Sequence, residues 1–242
     1  MRTIRLTLEY DGTDFLGWQI QKAGRTVQGE VERVLSQMLK EPVRVVGAGR
    51  TDAGVHALGQ VAHFRTEHTI PVVGLQRGMN ALLPDDVVVT EAEDAPADFH
   101  ARFSARRRSY RYVVTRRRRA IGRQYAYYWD DPLDLRAIRE ATSLLLGEHD
   151  FRAFCHAGAE VNHFRCNVFR AEWFEKGDEL HFEISANRFL HNMVRILVGT
   201  LLEIGRGKQK PEWVSELLQS GDRTRAGRTV PAHGLFLLSV EY

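Results

Sequence analysis

Arg2-Thr3-Ile4-Arg5-Leu6-Thr7-Leu8-Glu9-Tyr10 carries an apolar side chain at every second position from Ile4 to Tyr10. A period of two is the pattern of a strand with one buried face. Asp11-Gly12 breaks it. Downstream, Thr26 is placed to cap a helix whose apolar residues, Val27, Val31, Val34, Leu35, Met38 and Leu39, recur at helical spacing. Val43 to Val46 reads as a short strand, and a glycine-rich loop runs from Gly47 to Gly59. Gln60 to Thr66 reads as a strand, Val72 to Leu83 as a helix closed by Pro84, and Val87 to Glu93 as a strand. The order is β-α-β-β-α-β.

The second half repeats that order without repeating the sequence. Tyr110 to Thr115 reads as a strand. Asp134 caps a helix carrying Leu135, Ile138, Ala141 and Leu145, with Gly147 at its end. Asn167 to Glu175 and Leu180 to Ala186 form a hairpin around Gly177-Asp178. Phe189 to Ile204 is apolar and helical, Pro211 opens a short helix, and Leu235 to Tyr242 closes the chain as a strand. The expected class is α+β. Two ferredoxin-like halves, 1–105 and 106–242, would form a continuous antiparallel sheet with helices on one face and a central cleft between them.

The gross numbers exclude several classes. The 242 residues hold 43% hydrophobic and 27% charged side chains, an ordinary globular balance. No apolar run approaches the roughly 18 residues of a bilayer span, and the alternating N-terminus lacks the apolar stretch of a signal peptide. Cys155 and Cys166 make no disulfide framework, which favours a reduced, cytoplasmic setting. Net charge is +3, yet Phe99 to Trp129 contains ten arginines and no acid. Such a window, interleaved with Tyr110, Tyr112, Tyr125, Tyr127, Tyr128 and Trp129, suits a polyanion with stackable bases.

Two segments stand out chemically. The first is the loop Gly47-Ala48-Gly49-Arg50-Thr51-Asp52-Ala53-Gly54-Val55-His56-Ala57. It is neither a dinucleotide fingerprint nor a phosphate loop, since Asp52 takes the third glycine position and no Gly-Lys-Ser/Thr follows. Its small residues leave Asp52 accessible to a bulky substrate. An Asp in such a loop also commonly satisfies turn amides, and spacing alone favours that simpler role. The second segment is Arg188 to Gly199, which from Met193 to Val198 is apolar all round except for Arg195. A buried guanidinium requires an anion; Asp52 and Glu203 both qualify from sequence. His56, His63 and His68 match no metal-ligand spacing, so no metal is expected. Trp18, Trp129, Trp173 and Trp213 read as core or rim residues.

Several stretches together resemble the tRNA pseudouridine synthase A (TruA) family. They are Tyr10-Asp11-Gly12 with Gly17-Trp18-Gln19, Thr26-Val27-Gln28, Gly49 to Ala57 and Asn80 to Asp86. Phe99 to Ala105 with Tyr110-Arg111-Tyr112, Phe189 to Arg195, and Ala232-His233-Gly234-Leu235 complete the set. The resemblance implies a catalytic role for Asp52, stacking of Tyr110 on the target base, and pairing of Arg195 with the aspartate. It further implies that Arg50 engages RNA as the target nucleotide is extruded. It implies a homodimer without cofactor or metal that isomerises uridines in the tRNA anticodon stem-loop. The chief alternative is a non-catalytic RNA-binding protein with paired RRM-like sheets, although their aromatic strand signatures are absent. A metal-dependent nuclease would need a carboxylate cluster, and Asp52 has no acidic neighbour within ten residues.

Overall fold

The first strand forms where the alternation places it. A computed structural model, describing residues 1–158 and 161–242, shows β1 at Arg2–Tyr10, with Ile4, Leu6, Leu8 and Tyr10 all buried. Thr26 accepts a hydrogen bond from the Gly29 amide and opens α1, Val27–Leu39, which buries Val27, Val31, Val34, Leu35 and Leu39. Then follow β2 (Val46–Gly47), β3 (His56–Thr66), α2 (Val72–Leu82) and β4 (Val87–Ala95). Nearly every residue of β3 is buried, as a strand flanked on both sides requires.

The later elements are β5 (Arg107–Thr115), β6 (Tyr127–Tyr128), α3 (Leu135–Ser143), β7 (Gly147–Asp150), β8 (Arg165–Lys176) and β9 (Glu179–Ala186). Helices α4 (Met193–Gly205) and α5 (Trp213–Ser220) and the strand β10 (Leu235–Glu241) close the chain. With five α-helices and mostly antiparallel strands among the described residues, the class is α+β.

Two compact units emerge: Met1–Arg106 together with Phe236–Tyr242, and Arg107–Leu235. In the first, strand order is β4-β1-β3-β10, with β2 on β3. Strands β4, β1 and β3 are antiparallel neighbours, whereas β10 runs parallel to β3, pairing Phe236 with His56 and Leu237 with Ala57. The second unit orders its strands β5-β9-β8-β7, all antiparallel, and β6 lies parallel to β5.

Several features differ from the pattern reading. All but the first residue of the closing strand belongs to the first unit, so the C-terminal seven residues complete the N-terminal body rather than the second half. Helix α3 stops at Ser143 and Gly147, at φ +91, opens the unforeseen strand β7. Helix α4 begins only at Met193, because Asn192 adopts φ +63 and the preceding residues form a turn closed by the Met193 amide on the Leu190 carbonyl. Within α4, every residue except Arg195 and Glu203 is buried, as its apolar sequence demands. No helix among the described residues is long and apolar enough to cross a membrane.

Candidate active site

Asp52 sits between β2 and β3 in a tight turn of the first unit, closed by the Val55 amide on the Asp52 carbonyl at 3.1 Å, with Gly54 at φ +78. The side chain is half-buried and Arg50 is exposed. The turn is held from one side by the loop that follows β1. The Trp18 amide donates to the Thr51 carbonyl at 3.1 Å, and the Gly54 amide to the Phe15 carbonyl at 3.3 Å. Gly17, at φ +93, lies so close to the Thr51 carbonyl that a Cβ has no room, and Gly12 meets the Val55 carbonyl in the same way. Tyr10-Asp11-Gly12 and Gly17-Trp18 therefore form the brace on which the Asp52 turn rests.

From the core side, the Tyr10 hydroxyl lies 2.8 Å from Thr51 Oγ1, and the Gln60 carboxamide donates to the Gly49 carbonyl at 2.9 Å. His56 is buried, stacks on Phe236 at 4.7 Å, and accepts the Gly12 amide on Nδ1 at 3.0 Å. The same Nδ1 stands 3.0 Å from Asp11 Oδ1. The role of His56 here is to join the brace to β3. Tyr10, Gln60 and His56 escaped notice as site residues. Tyr10 and His56 lie within motifs of the family resemblance, whereas Gln60 carries no signal beyond a polar group beside the apolar residues of its strand.

Two further residues singled out in the sequence lie in the second unit. Tyr110, on β5, is buried and meets Phe189 edge-on at 4.9 Å. Arg195 is in the first turn of α4 and half-buried; its Nε donates to the Val230 carbonyl and a terminal nitrogen to Asn192 Oδ1, both at 2.8 Å. Val230 reaches it because the segment 227–230 lies directly on α4. Gly199 leaves no room for a Cβ against the Arg228 carbonyl, and the Gly227 amide donates to Thr200 Oγ1 at 3.0 Å. Glu203, the alternative anion for Arg195, is engaged by Arg206 at 2.7 Å.

The arginine-rich window is less positive in space than in sequence. Arg111 stands opposite Glu183 in the β5–β9 register and pairs with it at 2.6 Å. Arg116, Arg117 and Arg119 pair with Glu175, Asp178 and Glu179 at 2.7, 2.6 and 2.6 Å. The Arg117 guanidinium holds the Asp178 carboxyl below its ordinary range. Burial acts to raise Glu179, but hydrogen bonds from His181 and Arg119 outweigh it and hold that carboxyl low. The β8–β9 hairpin thus supplies acids that a linear count of the window omits. Arg118 instead lies 5.3 Å over the Tyr128 ring.

A profile of the family described as tRNA pseudouridine synthase matches residues 7–104 and 141–242. The chain belongs to the tRNA pseudouridine synthase family. The matched stretches contain Arg50, Asp52 and Arg195, and Tyr110 falls between them. Similar proteins named tRNA pseudouridine synthase A span nearly the whole chain. One from Anoxybacillus flavithermus is 48% identical, covering 100% of this chain and 99% of its own. One from Halalkalibacterium halodurans is 49% identical over 97% of this chain and 90% of its own, and one from Bacillus subtilis is 45% identical over 99% and 98%.

Proposed function

We propose that this chain isomerises uridine to pseudouridine in tRNA, acting on the anticodon stem-loop, with Asp52 as nucleophile. The N1–C1′ bond breaks, the uracil turns over, and a C5–C1′ bond forms. The C5 proton leaves and N1 gains one, so the reaction is redox-neutral. A carboxylate suits it, being anionic at neutral pH and able to form a covalent intermediate. Tyr110 stacks on the extruded base, recovering about 1–3 kcal/mol of the unstacking cost. Arg195 pairs with the aspartate, and Arg50 engages RNA as the target nucleotide is extruded. The working form is a cytoplasmic homodimer that needs no cofactor.

The observation that carries this reading is the full-length family match together with the half-buried Asp52, held in a turn braced on two sides. The test is tritium release from tRNA labelled at uracil C5. Wild type is expected to release tritium, and Asp52→Asn to release none while still binding tRNA. Turnover by Asp52→Asn would remove Asp52 from the chemistry. Binding without release by wild type would leave the alternative of a non-catalytic RNA-binding protein.

A further inference from the structure

Two polar side chains of the core converge on the backbone just before Asp52. Tyr10, 3% exposed at the end of β1, puts its hydroxyl on the Thr51 hydroxyl, and Gln60, wholly buried on β3, donates to the Gly49 carbonyl. The two strands are neighbours, with Leu8 opposite Gln60 and Tyr10 opposite Ala57. A phenylalanine at position 10 would fill almost the same volume without bringing a polar atom into the core. Burying a hydroxyl is costly unless it is bonded. In this core it bonds to the residue preceding the nucleophile.

Thr51 is consequently held twice, through its side chain by Tyr10 and through its carbonyl by the Trp18 amide at 3.1 Å. That carbonyl is part of the peptide unit joining Thr51 to Asp52. A planar peptide fixed at its oxygen, with its preceding Cα fixed by the side chain, sets the position of the Asp52 Cα from which the carboxylate extends. Gly17 cannot be replaced at this contact without pushing the peptide away. Burial pushes the Tyr10 phenol up to about 12, so at neutral pH it remains an intact hydroxyl.

We propose that Tyr10 is a positioning residue of the reaction, acting through Thr51 to aim the Asp52 carboxylate, with Gln60 holding the other end of the same segment. This rests on the reading of Asp52 as nucleophile. Positioning of this kind is worth most in the chemical step, where displacement of about 1 Å can cost up to a hundredfold in rate.

The test uses the full chain and a tRNA substrate, with single-turnover pseudouridine formation and tRNA binding measured separately. Tyr10→Phe and Thr51→Val are each expected to slow the chemical step about tenfold or more, with tRNA affinity changed by less than about twofold. Because both remove the same hydrogen bond, the double variant is expected to be no slower than the slower single one. Thr51→Ser, which keeps the hydroxyl, is expected to restore the rate. Near-wild-type rates for Tyr10→Phe, or losses that multiply in the double variant, would overturn the proposal. Should Thr51→Val fail to fold, Tyr10→Phe and Thr51→Ser decide the matter. Asp52→Asn, run in parallel, separates the two claims. An inactive Asp52→Asn beside a fully active Tyr10→Phe sinks the positioning role alone, and an active Asp52→Asn sinks the nucleophile reading beneath it.

Discussion

The Nε of Arg195 donates to the Val230 carbonyl at 2.8 Å, tying the one charged residue of the first turns of α4 to an extended segment thirty-five residues further along the chain. That segment comes so close because α4 presents Gly199 and Thr200 to it. The guanidinium is therefore oriented by a backbone crossing as well as by its own helix, and disturbing the crossing should disturb the charge.

Gly199→Ala tests this. Alanine is the better helix former by about 1 kcal/mol, so propensity alone predicts stabilisation. The Arg228 carbonyl occupies the space of the new methyl, and overpacking of this kind costs about 1–3 kcal/mol. We expect a lower Tm and slower pseudouridine formation. A variant more stable than wild type would show that the segment 227–230 yields without cost.

Gly17→Ala should fail for two reasons, a φ of +93 and contact with the Thr51 carbonyl. The expected destabilisation is about 1–3 kcal/mol, with a loss of kcat. Gly207, at φ +77 with open space beside it, is the control. Gly207→Ala should lose stability through backbone strain alone and leave the rate untouched. Equal rate effects at both positions would dissociate the brace from the chemistry.

The arginine window makes a graded prediction. Arg116 and Arg117 already face carboxylates, whereas Arg118 is held by an aromatic ring. Each phosphate contact contributes about 0.9 to the salt slope of binding to duplex nucleic acid, or about 0.7 for a single strand. Arg118→Gln is expected to reduce the slope of tRNA binding by nearly one such contact, and Arg116→Gln or Arg117→Gln by much less. Folding stability should change little for these exposed pairs. Equal slopes for all three variants would mean that the hairpin acids do not matter to RNA binding.

Burial pushes the Cys166 thiol from 9.0 up to about 12 and the Tyr10 phenol from 10.0 up to about 12. Both groups are neutral in the fold and ionise more readily in the unfolded chain. Their contribution is fully present below pH 9 and is lost as pH rises toward 12. Urea unfolding between about pH 8 and pH 11 should show falling stability, and Cys166→Ala should make the fall shallower while lowering the starting value. At neutral pH the folded protein should resist thiol alkylation at Cys166; fast labelling without unfolding would contradict its burial.

Much of this molecule was legible in the sequence wherever a local period or a special backbone position carried the information. Strand β1, the caps at Thr26 and Asp134, the hairpin around Gly177 and the apolar α4 all follow from side chains a few residues apart. So did Asp52 as a residue in a small-residue turn, because that turn is closed locally, by the Val55 amide on the Asp52 carbonyl. The clamp from Tyr10 and Gln60 was not legible, since a tyrosine or glutamine in a strand says nothing about which backbone it will meet.

The amino-acid sequence by itself determined most of the elements, the family motifs and the presence of one acid in a glycine-rich turn. Only the tertiary structure decided that the last seven residues complete the first unit and that Arg116, Arg117 and Arg119 meet acids about sixty residues away. It also decided that Thr51 is gripped from the core. The physical reason is range. Periodicity and turn chemistry act over three or four residues, whereas strand register and close backbone crossings join positions whose separation along the chain carries no signal of their meeting.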